Sequence, residues 1–155
     1  MTSAGAGAST ILVSDSLDSL GMGTGNSNAS ASLLAEIHQA DRNEAGNLLS
    51  VIWSIENSGS SQASLLWLRD RSYTYAGQNF AGVTATSPET GTRYHPVMDG
   101  EGACLCSGST SNDLVQILNP GEQVAYWSLF SVPTDLDSVT VEIPNFDPIE
   151  DIPIS

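Results

Sequence analysis

From Asn47 to Glu56 every second residue is large and apolar: Leu49, Val51, Trp53 and Ile55 share one parity, and Ser50, Ser54 and Glu56 the other. Successive side chains of a strand point to opposite faces, so this stretch reads as a strand with one dry face and one wet face. A helix would scatter the four apolar residues around its axis. The pattern returns near the end of the chain, where Val139, Val141 and Ile143 alternate with Ser138, Thr140 and Glu142. Between the two, Gln123 to Val132 is apolar on both parities, with Val124, Tyr126 and Phe130 against Ala125, Trp127 and Leu129. That segment is expected to be a central strand covered on both faces, and Pro133 ends it.

Shorter runs continue the theme. Ala31 to Arg42 places Leu33, Ala35 and Ile37 on one parity, although its apolar residues also fit a helical period. Further strands are expected at Ile11–Val13 (an edge), Ala63–Arg69, Tyr73–Tyr75 and Phe80–Thr86, with extended pieces at Arg93–Met98 and Cys104–Ser107. Turn signals separate them: Asn57-Ser58-Gly59, Pro88 to Gly91, Asp99-Gly100-Glu101-Gly102, and Asn119-Pro120-Gly121-Glu122, with Pro and Gly where a type II turn takes them. Asp15 to Ser30, rich in glycine and asparagine, reads as a flexible loop, and Met1 to Ala8 as a disordered start. The prolines of the tail exclude a central strand there, and its acids guard an edge. Eight or nine short strands at regular spacing define an all-β chain, an antiparallel sandwich of the immunoglobulin-like kind. Residues 9–155 form one domain, and Trp53 is expected between its sheets.

Charge excludes some partners. Eighteen acidic residues face four arginines, lysine is absent, and the net charge is -14. A nucleic-acid backbone is gripped by clustered Lys and Arg, so no nucleic acid is expected. No apolar run reaches the roughly 18 residues of a membrane-spanning helix. No Gly-x-Ser-x-Gly nucleophile turn occurs, and the third of Gly21, Gly23 and Gly25 arrives one residue early for a dinucleotide loop. No catalytic residue and no cofactor are expected.

Cys104 and Cys106 are the two cysteines. In an extended strand they share a face, with Cα atoms near the roughly 6.8 Å limit for a disulfide, and a bend would bring them closer. Three states are open: a disulfide within the chain, two free thiols, or metal ligands. The metal state would gather His95, Met98, Cys104 and Cys106, an imidazole, thioether and thiolate set that suits copper in a cupredoxin-like carrier. Against it, the spacing fits no zinc pattern, and Met98 reads as core and His95 as a surface residue at a strand end. Trp67, Tyr73, Tyr75 and Phe80 form an aromatic cluster, and Arg69 and Arg71 beside it hold half the positive charge. Core packing is one reading of it; a binding face is the other.

A family resemblance rests on three elements: the strand ending in Glu56-Asn57-Ser58-Gly59, the turn Pro120-Gly121-Glu122, and the strand ending at Phe130 and Pro133. Residues 31–154 resemble the telokin-like, immunoglobulin-fold domain found in exported bacterial proteins and lipoproteins. The segment Arg93 to Ser107, which reads RYHPVMDGEGACLCS, is similar to one in secreted actinobacterial proteins, where such a domain precedes a peptidoglycan-binding domain of the outer-membrane-protein-A type. The resemblance implies a secreted or cell-envelope accessory domain without catalysis, whose partner is a protein or an envelope component. It also favours a joined Cys104–Cys106 pair. The copper carrier stands as the alternative function.

Overall fold

The computed structural model describes residues 18–68, 75–76, 79–108 and 115–155. Within them lie ten strands: β1 (Gly21–Thr24), β2 (Leu33–Arg42), β3 (Leu48–Asn57), β4 (Ala63–Ser64), β5 (Thr84–Thr86), β6 (Arg93–Tyr94), β7 (Ile117–Leu118), β8 (Gln123–Ser131), β9 (Ser138–Glu142) and β10 (Ile149–Pro153). They make two four-stranded sheets, β1-β2-β3-β8 and β10-β9-β5-β6, and a two-stranded ribbon, β4-β7. All the pairings between these strands are antiparallel. The expected all-β antiparallel sandwich is therefore what the chain forms. No helix among the described residues is long and apolar enough to cross a membrane.

The alternating residues do what their parity demands. Leu49, Val51, Trp53 and Ile55 from β3 meet Val139 and Val141 from β9 in one core between the sheets. Trp53 is fully buried, its ring 5.0 Å from that of Tyr126, and its indole N–H donates to Ser128 Oγ at 3.1 Å. Phe80 stands edge-on to Tyr126 at 4.8 Å. A buried indole needs a partner for its N–H, and Ser128 on the neighbouring strand supplies it.

Both sides of the sandwich are closed by strands that change sheets. Beyond β10, Ser155 pairs with β2, donating to the carbonyl of Ala40 and accepting from the amide of Arg42. The other half of that β2 edge is taken by β1, from Leu34 to Ile37. The β-bulge between Ile37 and Gln39 falls where β2 changes partner, and the extra residue is His38. On the opposite side, the chain leaving β6 crosses to β8, where Pro96 bridges to Phe130 and Cys106 to Ser128. An exposed row of unpaired amides is an aggregation hazard, and here those rows are largely taken.

Four segments depart from the sequence expectations. Part of the expected loop is strand β1. Its glycines lie against β10, since a Cβ on Gly21 would stand 2.8 Å from side-chain atoms of Ile149 and Ile152, and one on Gly23 would stand 2.9 Å from the Asp147 carbonyl. In Ala63–Arg69, described as far as Leu68, the strand covers Ala63–Ser64; Leu66–Leu68 is a 3₁₀ turn, closed by Leu68 N–H donating to the Leu65 carbonyl at 3.0 Å. Residues three apart eclipse in such a turn, so Leu65 and Leu68 both enter the core, which strict alternation would forbid. Extended pairing in Phe80–Thr86 is confined to Thr84–Thr86. Met98 is 43% exposed rather than core, because it sits on the projecting arm of a hairpin. The expected disordered start and the Ile11–Val13 edge strand lie outside the described residues.

Candidate functional site

The Asp99 to Gly102 bend is the tip of a tight hairpin. Met98 bridges to Cys104, and the Asp99 carboxylate accepts from the amides of Glu101 and Ala103 at 2.8 and 2.9 Å. Gly102 takes a φ of +86°, a conformation that costs glycine little. After the hairpin the chain bends again at Leu105, between Cys104 and Cys106. Their Cα atoms are 5.3 Å apart and their sulfurs are joined. Both residues are buried, in a small cluster with Ala81 against which Tyr75 packs.

Just past the hairpin three chains meet in a ring of backbone hydrogen bonds. Val97 N–H donates to the Leu129 carbonyl, Leu129 N–H to the Leu105 carbonyl, and Leu105 N–H to the Val97 carbonyl, at 2.8, 3.1 and 2.8 Å. The ring lets one strand, β8, pair with two arms at once. The disulfide holds the second arm in the bent path this requires.

Among the described residues, the others singled out by the sequence do not converge. Trp67 is half-buried against the main core, 5.9 Å from the Phe146 ring, and its buried indole N–H has no acceptor among the described residues. Tyr75 packs beside the disulfide and donates from its hydroxyl to the Pro96 carbonyl at 2.7 Å. Arg69, Arg71 and Tyr73 lie outside the described residues. The three described aromatic residues thus serve packing: Trp67 and Phe80 in the main core, Tyr75 beside the disulfide. Of the copper set, both cysteines are spent in the disulfide, so neither sulfur is a thiolate. Among the described residues no three His, Cys, Asp or Glu side chains converge as a metal site.

A different surface emerges from the outward parities. On β5, β6 and β9 of the second sheet the outward residues are polar: Thr84 and Thr86 on β5, Arg93 on β6, and Ser138, Thr140 and Glu142 on β9. They bond to one another, with Arg93 Nη2 donating to Glu142 Oε1 at 2.6 Å and Thr86 Oγ1 to the same oxygen at 3.1 Å. Apart from the buried Thr84, this is the solvated face expected of an antiparallel sheet. The first sheet breaks the rule. Ile52 faces outward beside its register partner Trp127, and Leu129 follows two residues along, adjoining Leu105 and Val97 through the hydrogen-bonded ring. All five are half-buried, and none belongs to either core cluster.

The sequence did carry a signal for this patch, the doubled apolar parity of Gln123 to Val132. Both edges of β8 are indeed paired, as a central strand requires. Its outer face, however, remains half-open where full cover was expected.

Beside the patch sits a polar knot built on the bulge. His38 Nδ1 donates to the Asp18 carbonyl at 2.8 Å, which leaves Nε2 to accept from the Ser54 hydroxyl at 2.9 Å. Gln123 donates to the same hydroxyl at 3.3 Å, and Glu36 Oε1 lies 3.8 Å from Nε2. Ser54 is fully buried and His38 is 4% exposed, so the knot anchors strands rather than presenting a nucleophile.

No family model matches the chain, and no curated protein does. Among solved structures, the chain is similar to a conserved hypothetical protein from Bacillus anthracis. The two share 13% identity at a TM-score of 0.46, over 84% of this chain and 95% of that one.

Proposed function

We propose that this chain is an exported, non-catalytic accessory domain of the telokin-like, immunoglobulin-fold kind, which binds a protein or another component of the cell envelope through its surface. The observation that carries the reading is the Cys104–Cys106 disulfide. It is buried within the sheet edge, in the arm whose path the pairing with β8 requires. A structural disulfide of this sort belongs to a compartment outside the reducing cytosol. Two four-stranded antiparallel sheets around a fully buried Trp53 support the immunoglobulin-like assignment. Binding through the surface is supported by the half-open apolar face of the first sheet, since apolar patches on soluble domains mark interaction sites. The domain acts without a cofactor.

Cell fractionation tests the proposal. The protein is expected in the envelope fraction or the medium of the cells that make it. Confinement to the cytoplasm would overturn the reading.

A further inference from the structure

We infer that the outer face of the first sheet is the binding surface, and that its partner is a protein segment presenting apolar side chains flanked by lysine or arginine. The inference rests on the surface-binding function proposed above and adds the site and the chemistry of the partner.

Three observations converge. The first is the contrast between the two sheets. One sequence has covered the outside of β5, β6 and β9 with threonine, serine and paired charges, yet set Ile52, Trp127, Leu129, Leu105 and Val97 side by side on the other outside. Isolated surface apolar residues need no explanation, but a contiguous set does. The second is composition, because the patch is centred on tryptophan, a residue enriched where binding energy concentrates.

The third is charge. Glu36 and Asp41 on β2 and Glu56 on β3 flank the patch on one side, and Asp99 and Glu101 at the hairpin tip flank it on the other. No positive residue stands among the outward positions of β2, β3 and β8 from Leu34 to Asp41, Ser50 to Glu56 and Gln123 to Ser131. Arg42, at the end of β2, is turned to the carbonyls of Gly46 and Pro133, at 3.2 Å each.

An apolar centre inside an acidic rim selects a partner with the inverse pattern, since complementary potentials steer encounter and fix orientation. The same charge argues against the other occupants. A second copy would bring another -14 to the face. The chain's own residues 1–17 carry one acid, Asp15, and no base to answer the rim.

The test uses the folded chain and three short synthetic peptides. One alternates valine and lysine, one valine and glutamate, and one serine and lysine. Calorimetric titration at low and physiological salt is expected to find binding of the valine–lysine peptide alone, weakened by salt. Trp127→Ser and Leu129→Ser are each expected to weaken it about tenfold or more. The rim variants Glu36→Gln and Glu56→Gln should weaken it less, and Glu150→Gln on β10 should leave it unchanged. Circular dichroism verifies that each variant is folded.

Equal binding by Trp127→Ser would show attraction to net charge alone and would overturn the proposal. So would equal binding of the glutamate peptide. Sedimentation as a dimer that Trp127→Ser dissolves would assign the face to a second copy. Faster amide exchange at Ile52 and Trp127 on removal of residues 1–17 would assign it to the chain's own start. Failure here with the disulfide intact in host protein removes the face and leaves the exported domain standing. Free thiols beside a successful titration would do the reverse.

Discussion

Asn57 closes the last turn of β3 and holds one end of the sandwich together. It is fully buried. Its amide nitrogen donates to the carbonyls of Ser61 and Leu118 at 2.8 and 3.0 Å, and its side-chain oxygen accepts from the Gly59 amide at 2.9 Å. Its backbone pairs with Gly121 and Glu122. One side chain thus ties the β3 turn to the ribbon strand β7. Asn57→Ala leaves the buried Leu118 carbonyl without this donor, at about 1–3 kcal/mol, while the Ser61 carbonyl, on an exposed residue, can turn to water. Asn57→Asp is expected to be worse than alanine, because it points a buried carboxylate at two carbonyl oxygens. Urea denaturation of the pair checks the order; an aspartate variant as stable as the wild type would contradict it. Trp53→Ala should cost about 3–5 kcal/mol by the same measurement. The burial of Trp53 was legible in the sequence, since parity alone places it. The role of Asn57 was not, because Glu-Asn-Ser-Gly reads as a turn whether or not its amide is buried.

At the scale of elements, the long strands announced themselves and the short ones did not. β3 and β9 have enough alternation to be placed from the sequence. β1 has four residues, two of them glycine, and nothing in GMGT says that a strand without side chains is needed there. The need comes from β10, whose Ile149 and Ile152 occupy the space. Gly23→Ala is therefore expected to destabilise by about 1–3 kcal/mol, through overpacking against the Asp147 carbonyl. Gly100→Ala, at an open bend, should stay within about 0.5 kcal/mol. Equal effects in thermal melts would contradict the packing of β1 on β10.

The Cys104–Cys106 arm makes a different prediction. The loop it closes is so short that the entropic effect on the unfolded chain is small. Changing both cysteines to alanine should cost about 1–2 kcal/mol and leave the all-β circular dichroism intact. Loss of folding would mean the arm is needed to form the sheet rather than to finish its edge.

At the scale of the whole molecule, charge and surface chemistry govern. With -14 on one small domain, self-repulsion works against the compact state. Raising sodium chloride from about 0.01 to 0.15 M shortens the screening length from about 30 to 8 Å, so the melting temperature should rise. A fall would contradict the balance. The sandwich was legible in the sequence because both core faces follow period two. The outer patch was half-legible: the doubled parity of β8 was visible, but no sequence pattern states which neighbours a strand has or what lies over its second face. The aromatic cluster shows that proximity along the chain is not proximity in space, at least for its described members. Trp67 and Tyr75 end in different packing clusters.

Export is the claim on which the rest of the functional account stands, and the thiol state tests it most directly. Protein taken from its native cells, acid-quenched and alkylated before any reductant is added, is weighed intact. The account predicts a mass lighter than the reduced chain by the two thiol hydrogens, with no alkyl group on Cys104 or Cys106. A chain carrying an alkyl group on each cysteine would contradict it.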